Sequence, residues 1–322
     1  MRAIQLRKTG GPEVLAIAEV PTPEPGDGEL LVDIAAAGVN YIDTYHRTGQ
    51  YPLELPVILG MEGAGTVRAV GAGVSGFAPG DRVAWPQSFG TYAETIAVPA
   101  GRVVKVPEGV DDEVAAMLLQ GMTAHYLLHD SYPVKAGDTV LVHAAAGGMG
   151  LLLTQWATAL GARVIGTVST AAKEKLAREA GAAEVIRYTE QEFAPEVRRL
   201  TDGKGVAVAY DGVGATTFDG SLASVRGRGS LVVYGAASGP VPPFNLQRLN
   251  AAGGVFLSRP SLGHYLGEDA EVARRGGEVF EAIRTGTITP LIGARYPLAE
   301  ASTAHADLEG RRTTGKLLLL PR

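Results

Sequence analysis

The stretch Leu141-Val142-His143-Ala144-Ala145-Ala146-Gly147-Gly148-Met149-Gly150-Leu151 decides the fold. Aligned with the pattern G-x-G-x-x-G it reads Ala145-x-Gly147-x-x-Gly150, after an apolar run typical of a buried strand and before one typical of a helix. Small residues at such a turn let a pyrophosphate approach the free N–H groups at the helix start, where the helix dipole favours an anion. Alone the pattern is weak, because small residues at a strand-to-helix turn also serve close packing.

The loop lies within alternating strands and helices that run from about Gln120 to Leu257. Three of the helices are followed by a glycine, which is typical of helix ends. Short apolar strands alternating with helices predict a doubly wound parallel sheet covered on both faces, and in this context the loop favours a bound dinucleotide. The predicted strands are Thr139–His143, Arg163–Val168, Glu184–Tyr188, Val206–Tyr210 and Ser230–Tyr234; the predicted helices are Leu151–Leu160, Ala171–Ala180, Glu190–Thr201 and Phe218–Val225; and the glycines are Gly161, Gly181 and Gly227.

The two ends of the chain follow a different pattern. Residues 1–120 contain short β-branched runs bounded by Gly, Pro or Asp, such as Glu29–Ala35, Gly65–Val70 and Asp81–Ala84, and these predict a compact barrel-like β domain. The segment 260–322 is too short to bury a core alone. We therefore expect residues 1–120 and 260–322 to form one domain, with 121–259 inserted as the nucleotide-binding domain.

Composition restricts the functional classes. The chain has 322 residues, a net charge of −5 and no cysteine, which excludes disulfides, thiolate nucleophiles and cysteine-containing zinc sites. Mild acidity without a basic run argues against a nucleic-acid partner. The sequence contains no signal-peptide pattern and no apolar run of membrane-helix length, so we expect a cytoplasmic protein with no membrane partner.

The residues after the second predicted strand bear on which dinucleotide binds. An NAD site normally has Asp or Glu there to hold the ribose 2′-OH. Here the strand is followed by Ser169 and Thr170, then Lys173, while Tyr188 ends the third strand. Hydroxyls and a cation suit a 2′-phosphate, so we predict NADPH as the cofactor. In the alternative, Ser169 and Thr170 cap the helix and Lys173 is solvated.

Five motifs together resemble the quinone oxidoreductase (zeta-crystallin-like) branch of the zinc-free medium-chain dehydrogenase/reductase superfamily. The resemblance covers essentially the whole chain. It implies an α/β protein with a GroES-like β-barrel catalytic domain and a Rossmann domain, assembled as a homodimer, with a homotetramer as the alternative. The motifs are Ala36-Ala-Gly-Val-Asn-Tyr-Ile-Asp43, Gly60-Met-Glu-Gly-Ala-Gly-Thr-Val67, Gln120-Gly-Met-Thr-Ala124, the glycine loop and Arg259-Pro-Ser261.

The resemblance also implies that the protein holds no metal. Zinc-dependent relatives have a cysteine at the position of Asn40 and a histidine at that of Met61, next to the surviving Glu62. One carboxylate cannot hold Zn²⁺, which requires three or four ligands. We expect Asp43 and Glu62 to have hydrogen-bonded structural roles.

By the same resemblance, Asn40 and Thr123 approach the nicotinamide, Tyr45 and Tyr51 line the acceptor pocket, and Arg259 lies near the reacting ring. The competing interpretations are a turn residue for Asn40, ordinary packing for both tyrosines and a surface salt bridge for Arg259. The implied cofactor-binding set is Asn40, Thr123, Gly147, Gly148, Met149, Gly150, Ser169, Lys173, Tyr188, Gly235, Ala237, Leu257 and Arg311.

The function implied is NADPH-dependent, metal-independent hydride transfer to a quinone. A quinone is electron-poor, so its reduction needs no Lewis acid, in keeping with a sequence that has no evident nucleophile or triad. One alternative is a zinc-free enoyl or alkenal reductase acting on an activated C=C bond. A remote alternative is an RNA-binding or structural, crystallin-like role, and the net acidity counts against RNA.

Overall fold

The computed structural model describes residues 1–321, and they form two compact units. The first comprises Met1–Met122, Leu266–Gly286 and residues 290–321, and the second comprises Thr123–Tyr265 and Thr287–Thr289. Within the described residues, no helix combines the length and apolar character needed to span a membrane.

The strands and helices are numbered in chain order. The strands are β1 Arg2–Leu6, β2 Ala16–Glu19, β3 Glu29–Val39, β4 Val57–Ile58, β5 Glu62–Val70, β6 Arg82–Trp85, β7 Thr95–Pro99, β8 Val104–Lys105, β9 Thr139–Val142, β10 Arg163–Val168, β11 Glu184–Arg187, β12 Val206–Asp211, β13 Val225–Val233, β14 Phe256–Ser258, β15 Ile292–Pro297 and β16 Lys316–Leu320. The helices are α1 Tyr41–Thr48, α2 Asp112–Ala115, α3 Leu118–Tyr126, α4 Gly148–Ala159, α5 Ala171–Glu179, α6 Phe193–Leu200, α7 Phe218–Ser224, α8 Gln247–Ala251, α9 Asp269–Arg284 and α10 Ala301–Glu309.

The second unit is built on a six-stranded sheet in the order β11-β10-β9-β12-β13-β14, with all strands parallel. The strand order reverses beside β9, which is the doubly wound arrangement. Its strands are apolar because both faces are covered: Leu141, Ile165 and Leu231 are fully buried and cluster with Val197 and Phe218 of the helices. The predicted α/β fold class is confirmed.

One predicted helix ending is wrong. Helix α7 ends at Ser224 and strand β13 begins at Val225, so Gly227 lies inside a strand and does not close the helix. The last carbonyls of this segment are bound by a side chain instead, since the Arg198 guanidinium donates to the carbonyls of Ala223 at 2.8 Å and Val225 at 2.9 Å. An arginine that binds terminal carbonyls removes the need for a glycine cap.

The first unit contains the β-rich ends of the chain. Its main sheet runs β15-β16-β3-β5-β6-β8, with β7 also paired to β3, and a smaller sheet has the order β2-β1-β4. The last strand, β16, pairs antiparallel with the end of β3, placing Leu317 opposite Val39. This register brings Lys316, at the start of β16, beside the residue that follows β3, which is Asn40.

Candidate active site

The glycine loop forms the start of helix α4. Gly147 is the N-cap residue and has no side chain with which to cap the first turn, where the N–H groups of Gly148, Met149 and Gly150 begin the helix. A Cβ at Gly150 would lie 2.2 Å from the carbonyl oxygen of Ala144. The backbone is therefore packed tightly around an amide-lined turn, and this fits a pyrophosphate.

A buried histidine anchors the residue before this loop. His143 pairs through Nδ1 with the Thr167 hydroxyl at 2.9 Å and through Nε2 with the Ser221 hydroxyl at 2.8 Å, and Ser221 donates to Asp211 at 2.7 Å. Burial lowers the pKa of His143. The next residue, Ala144, has a φ of 49°, a left-handed conformation unusual for a non-glycine residue. These hydrogen bonds of His143 were not predicted from the sequence, because they join residues of β10, β12 and α7 that are far apart in the chain.

Two of the residues predicted at the adenosine end directly follow neighbouring strands. Ser169 follows β10 and Tyr188 follows β11, and these strands are parallel with Val168 opposite Arg187. The Thr170 hydroxyl accepts the backbone N–H of Lys173 at 3.2 Å, so the capping of helix α5 is done by Thr170. Tyr188 is 40% exposed. The arrangement presents two hydroxyl side chains and a lysine at the carboxyl edge of the sheet.

Further predicted residues lie at the ends of the other strands. Gly235 and Ala237 follow β13, and a Cβ at Gly235 would meet the Gly212 carbonyl oxygen at 2.5 Å. Leu257 is the middle residue of β14, opposite Leu231, and so lies inside this strand and not after it. Arg259 comes directly after β14 and donates to the carbonyl of Pro260 at 3.0 Å. The carboxyl ends of parallel strands form the edge at which α/β proteins bind ligands.

In the first unit, Asn40 is the N-cap residue of helix α1. Its backbone N–H donates to Asp43 Oδ2 at 2.8 Å, and the Asp43 N–H returns to the Asn40 carbonyl at 3.1 Å. The rings of Tyr45 and Tyr51 lie 5.4 Å apart, edge to face. Asn40 and Tyr45 are only 5% and 8% exposed, so the polar side chain at the start of α1 and the aromatic ring on it are both buried.

The two units divide the predicted residues between them. Asn40, Tyr45, Tyr51 and Arg311 belong to the first unit, whereas Thr123 and the remaining predicted residues belong to the second. Thr123 is buried on helix α3. Arg311 is exposed, has a φ of 55° and follows Gly310, the C-cap residue of helix α10.

Comparison with known proteins identifies the family. The model of the alcohol dehydrogenase GroES-like domain matches residues 26–108, and that of zinc-binding dehydrogenase matches residues 148–268. A quinone oxidoreductase of Pseudomonas aeruginosa is 46% identical over 99% of both chains. A 2-haloacrylate reductase of a Burkholderia species is 42% identical, also over 99% of both. The chain belongs to the quinone oxidoreductase family. A mycobacterial structure complexed with NADPH matches with a TM-score of 0.97, at 57% identity over 100% of both chains.

This quinone oxidoreductase family member carries a lysine beside the position of the zinc ligands. Lys316 Nζ forms a buried ion pair with Glu62, and these side chains are 2% and 0% exposed. Among residues 1–321, no group of three or more His, Cys, Asp or Glu side chains could hold a metal ion. Sequence reasoning missed Lys316, although a lysine at the head of the apolar strand Lys-Leu-Leu-Leu-Leu was a usable signal.

A second buried polar chain runs through the first unit and was also missed. Arg47 pairs with His305 Nδ1 at 3.1 Å, His305 Nε2 pairs with the Tyr92 hydroxyl at 3.1 Å, and Tyr92 donates to Asp43 at 2.9 Å. Arginine is always a donor, so Nδ1 of His305 accepts and Nε2 carries the proton. Burial and the positive charge of Arg47 lower the pKa of His305 to about 3.

His46, beside the predicted tyrosines, is a further residue that the sequence did not indicate. Its ring lies 5.8 Å from that of Tyr51 and 4.9 Å from that of Phe89, edge to face in both cases. Burial lowers its pKa, and the backbone of Tyr51 partly opposes this. The imidazole thus joins the aromatic group around Tyr45 and Tyr51, in surroundings that disfavour its charged form.

Proposed function

We propose that the protein is an NADPH:quinone oxidoreductase that works without a metal ion. The observation that carries the proposal is the carboxyl edge of the parallel sheet, where the glycine loop, Ser169 and Tyr188 follow three adjacent strands and no acidic residue stands between β10 and α5. This edge suits a dinucleotide with a 2′-phosphate. Membership of a family whose relatives include quinone oxidoreductases supports the acceptor.

When bound, NADPH supplies a hydride. The chain then has to bind and orient the two reactants, because hydride arrival turns a quinone into a resonance-stabilised anion that water can protonate. The amides of the glycine loop hold the pyrophosphate, and Ser169, Lys173, Tyr188 and Arg311 hold the adenosine 2′-phosphate. The Lys316–Glu62 pair fixes the Asn40 side chain in one orientation.

The other predicted residues take the following roles in this proposal. Residues 1–120 and 260–322 form the catalytic domain and 121–259 the NADP-binding domain. Tyr45 and Tyr51 contact the acceptor, as flat walls that stack or donate a hydrogen bond. Asn40, Thr123 and Arg259 lie by the nicotinamide, and Gly235, Ala237 and Leu257 border its ribose.

Steady-state assays with NADPH and 1,4-benzoquinone test the proposal. We expect saturable oxidation of NADPH with formation of one hydroquinone per NADPH. Equilibrium binding of NADPH should be measured on the same preparation, so that an unfolded sample is recognised. Tight NADPH binding without quinone turnover would overturn the assigned acceptor.

A second candidate is the reduction of an activated C=C bond. It is favoured by the 2-haloacrylate reductase that shares 42% identity with this chain over nearly its whole length. Both acceptors present electron-poor carbon to the same hydride. A competition assay with 1,4-benzoquinone and 2-chloroacrylate decides between them through the ratio of the two kcat/KM values.

We also propose a homodimer formed through strand β14. This strand is at the end of the six-stranded sheet, and its Phe256 side chain is 67% exposed. An open strand edge beside an exposed aromatic ring favours pairing with a second copy. Light scattering on Phe256→Asp should give the monomer mass where the unchanged protein gives the dimer. A tetramer mass for the unchanged protein would show that the homodimer assignment is wrong.

The cytoplasmic location of the protein stays a prediction.

A further inference from the structure

The Lys316 ammonium is the starting point of a buried hydrogen-bond network in the first unit. It donates to the Val39 carbonyl at 3.2 Å, to Asn40 Oδ1 at 3.0 Å and to Glu62 Oε1. An ammonium group has three donors and no acceptor, so all three of its N–H bonds are used here. Because Lys316 and Glu62 are almost completely buried, water cannot substitute for these contacts.

Lys316 therefore determines which way the Asn40 amide faces. Its oxygen has to point toward the lysine, because the amide nitrogen would set donor against donor. In this orientation Asn40 Nδ2 donates to Glu62 Oε1 at 2.6 Å. The other carboxylate oxygen, Oε2, accepts the backbone N–H of Leu119 at 2.7 Å, which holds Glu62 in place.

The orientation of Asn40 in turn determines that of Gln120. Asn40 Oδ1 is an acceptor, so Gln120 has to present its amide nitrogen, and Nε2 donates to Oδ1 at 3.0 Å. The Gln120 oxygen, Oε1, then faces away from Asn40. It is buried and has no hydrogen-bond partner in the described part of the chain. A buried acceptor without a donor destabilises the structure unless a bound molecule supplies the donor.

We propose that Gln120 Oε1 is a binding contact that accepts a hydrogen bond from an N–H or O–H group of a bound reactant. This inference rests on the proposed function. A quinone has no such donor, so it cannot satisfy Oε1. NADPH also carries ribose hydroxyl groups, so the proposal is restricted to donors on the two reacting rings. These are the carboxamide NH₂ of the nicotinamide ring and the hydroxyl group of the hydroquinone product.

Two cofactors that differ in one group test the first source. The dissociation constants of NADPH and of its reduced 3-acetylpyridine analogue, in which a methyl group replaces the carboxamide NH₂, are measured by fluorescence titration. Gln120→Met removes the amide at similar length. For the carboxamide source we expect this variant to weaken NADPH binding about five- to tenfold and to leave binding of the analogue unchanged.

The second source is tested by inhibition with 1,4-hydroquinone. If the hydroxyl group is the donor, Gln120→Met raises the hydroquinone inhibition constant by a similar factor, while NADPH and its analogue bind as tightly as before. Equal weakening of NADPH and the analogue, or no change for any of the three molecules, would overturn the proposal. Wild-type protein that binds NADPH but does not reduce quinones contradicts the proposed function and leaves the cofactor comparison interpretable.

The network also predicts that Lys316 and Gln120 act together. Lys316→Met removes the donor that orients Asn40, and the Gln120 amide is then free to turn over. The single variants should lose the same contact, so the double variant should bind the affected molecule no more weakly than Gln120→Met. Additive losses would show that Lys316 does not act through Gln120.

Discussion

The Tyr92 hydroxyl donates a hydrogen bond to Asp43 Oδ2 at 2.9 Å, and neither side chain is exposed to solvent. Asp43 also accepts the backbone N–H of Asn40, so the buried carboxyl group supports the start of helix α1. Its other oxygen, Oδ1, has no partner among the described residues. Burial raises the pKa of Asp43 to about 7, against smaller lowering effects from the Asn40 backbone, Tyr92 and Lys316.

This raised pKa predicts how stability depends on pH. The folded protein binds a proton at Asp43 that the unfolded chain releases above the ordinary value of 3.8. The stabilisation that Asp43 contributes is therefore fully present below pH 3.8, and it is lost as the pH rises toward about 7. The loss is on the order of 4 kcal/mol. Urea denaturation at several pH values should show this slope, and Asp43→Asn should remove it. An unchanged slope in the variant would exclude Asp43 as its source.

His305 predicts the opposite dependence. Its pKa falls from 6.5 to about 3 because burial, and next the charge of Arg47, disfavour the imidazolium ion. The unfolded chain takes up a proton below pH 6.5 that the folded chain does not, so stability is lost as the pH falls through this range. We expect His305→Gln to be less stable at neutral pH, since its partners are disturbed, but to lose less stability on acidification. Chemical denaturation at neutral pH and at pH ~4.5 measures both effects.

A comparison of two glycines tests the phosphate loop. A Cβ at Gly150 would lie 2.2 Å from the Ala144 carbonyl oxygen and 2.6 Å from Ala145 Cα, so Gly150→Ala has to displace backbone. At Gly147 the nearest atom is 3.3 Å away, so Gly147→Ala serves as the control for stability. We expect Gly150→Ala to lower stability by about 1–3 kcal/mol and to weaken NADPH binding, with a much smaller loss of stability at Gly147. Thermal unfolding and fluorescence titration measure the two quantities. Similar losses at both glycines would contradict the tight fit at Gly150.

The sequence predicted the second unit well because its signals are local. Strands such as β9 and β12 are short apolar runs, and strand β10 was predicted with the bounds the structure has, Arg163–Val168. The glycine loop lies at the end of one such strand, so its place at the sheet edge followed from the strand alone. The ends of helices were harder to predict. The helix end predicted at Gly227 was wrong because Arg198, many residues earlier, binds the carbonyls at the end of α7.

The buried polar groups of the first unit could not be predicted in the same way. Lys316 and Glu62 are 254 residues apart in the chain, and Arg47 and His305 are 258 apart. Periodicity reports which face of a strand is apolar, but not which distant polar side chain meets it. The family resemblance indicated that the zinc ligands were missing at Asn40 and Met61. Lys316, from the last strand, lies beside Asn40 because of the register between β16 and β3, which cannot be read from the sequence.

The preference for NADPH over NADH is tested at Lys173. This residue lies in the first turn of α5, next to Ser169 and the Thr170 cap, at the edge where we place the 2′-phosphate. Loss of one charge-assisted hydrogen bond costs about 1.5–3 kcal/mol, so Lys173→Ala should raise the KM for NADPH roughly tenfold or more. The KM for NADH should change less than about twofold, because NADH has no 2′-phosphate.

Lys175 provides the matched control on the same helix. It is exposed and lies 3.8 Å from Glu179 one turn later, so Lys175→Ala removes an equal charge away from Ser169. We expect this variant to leave both KM values unchanged, because exposed ion pairs contribute little and distant surface charge is screened. If Lys175→Ala raises the KM for NADPH as much as Lys173→Ala, the effect is one of net charge. If Lys173→Ala raises both cofactor KM values equally, the lysine acts on a group that NADPH and NADH share, and the 2′-phosphate assignment is wrong.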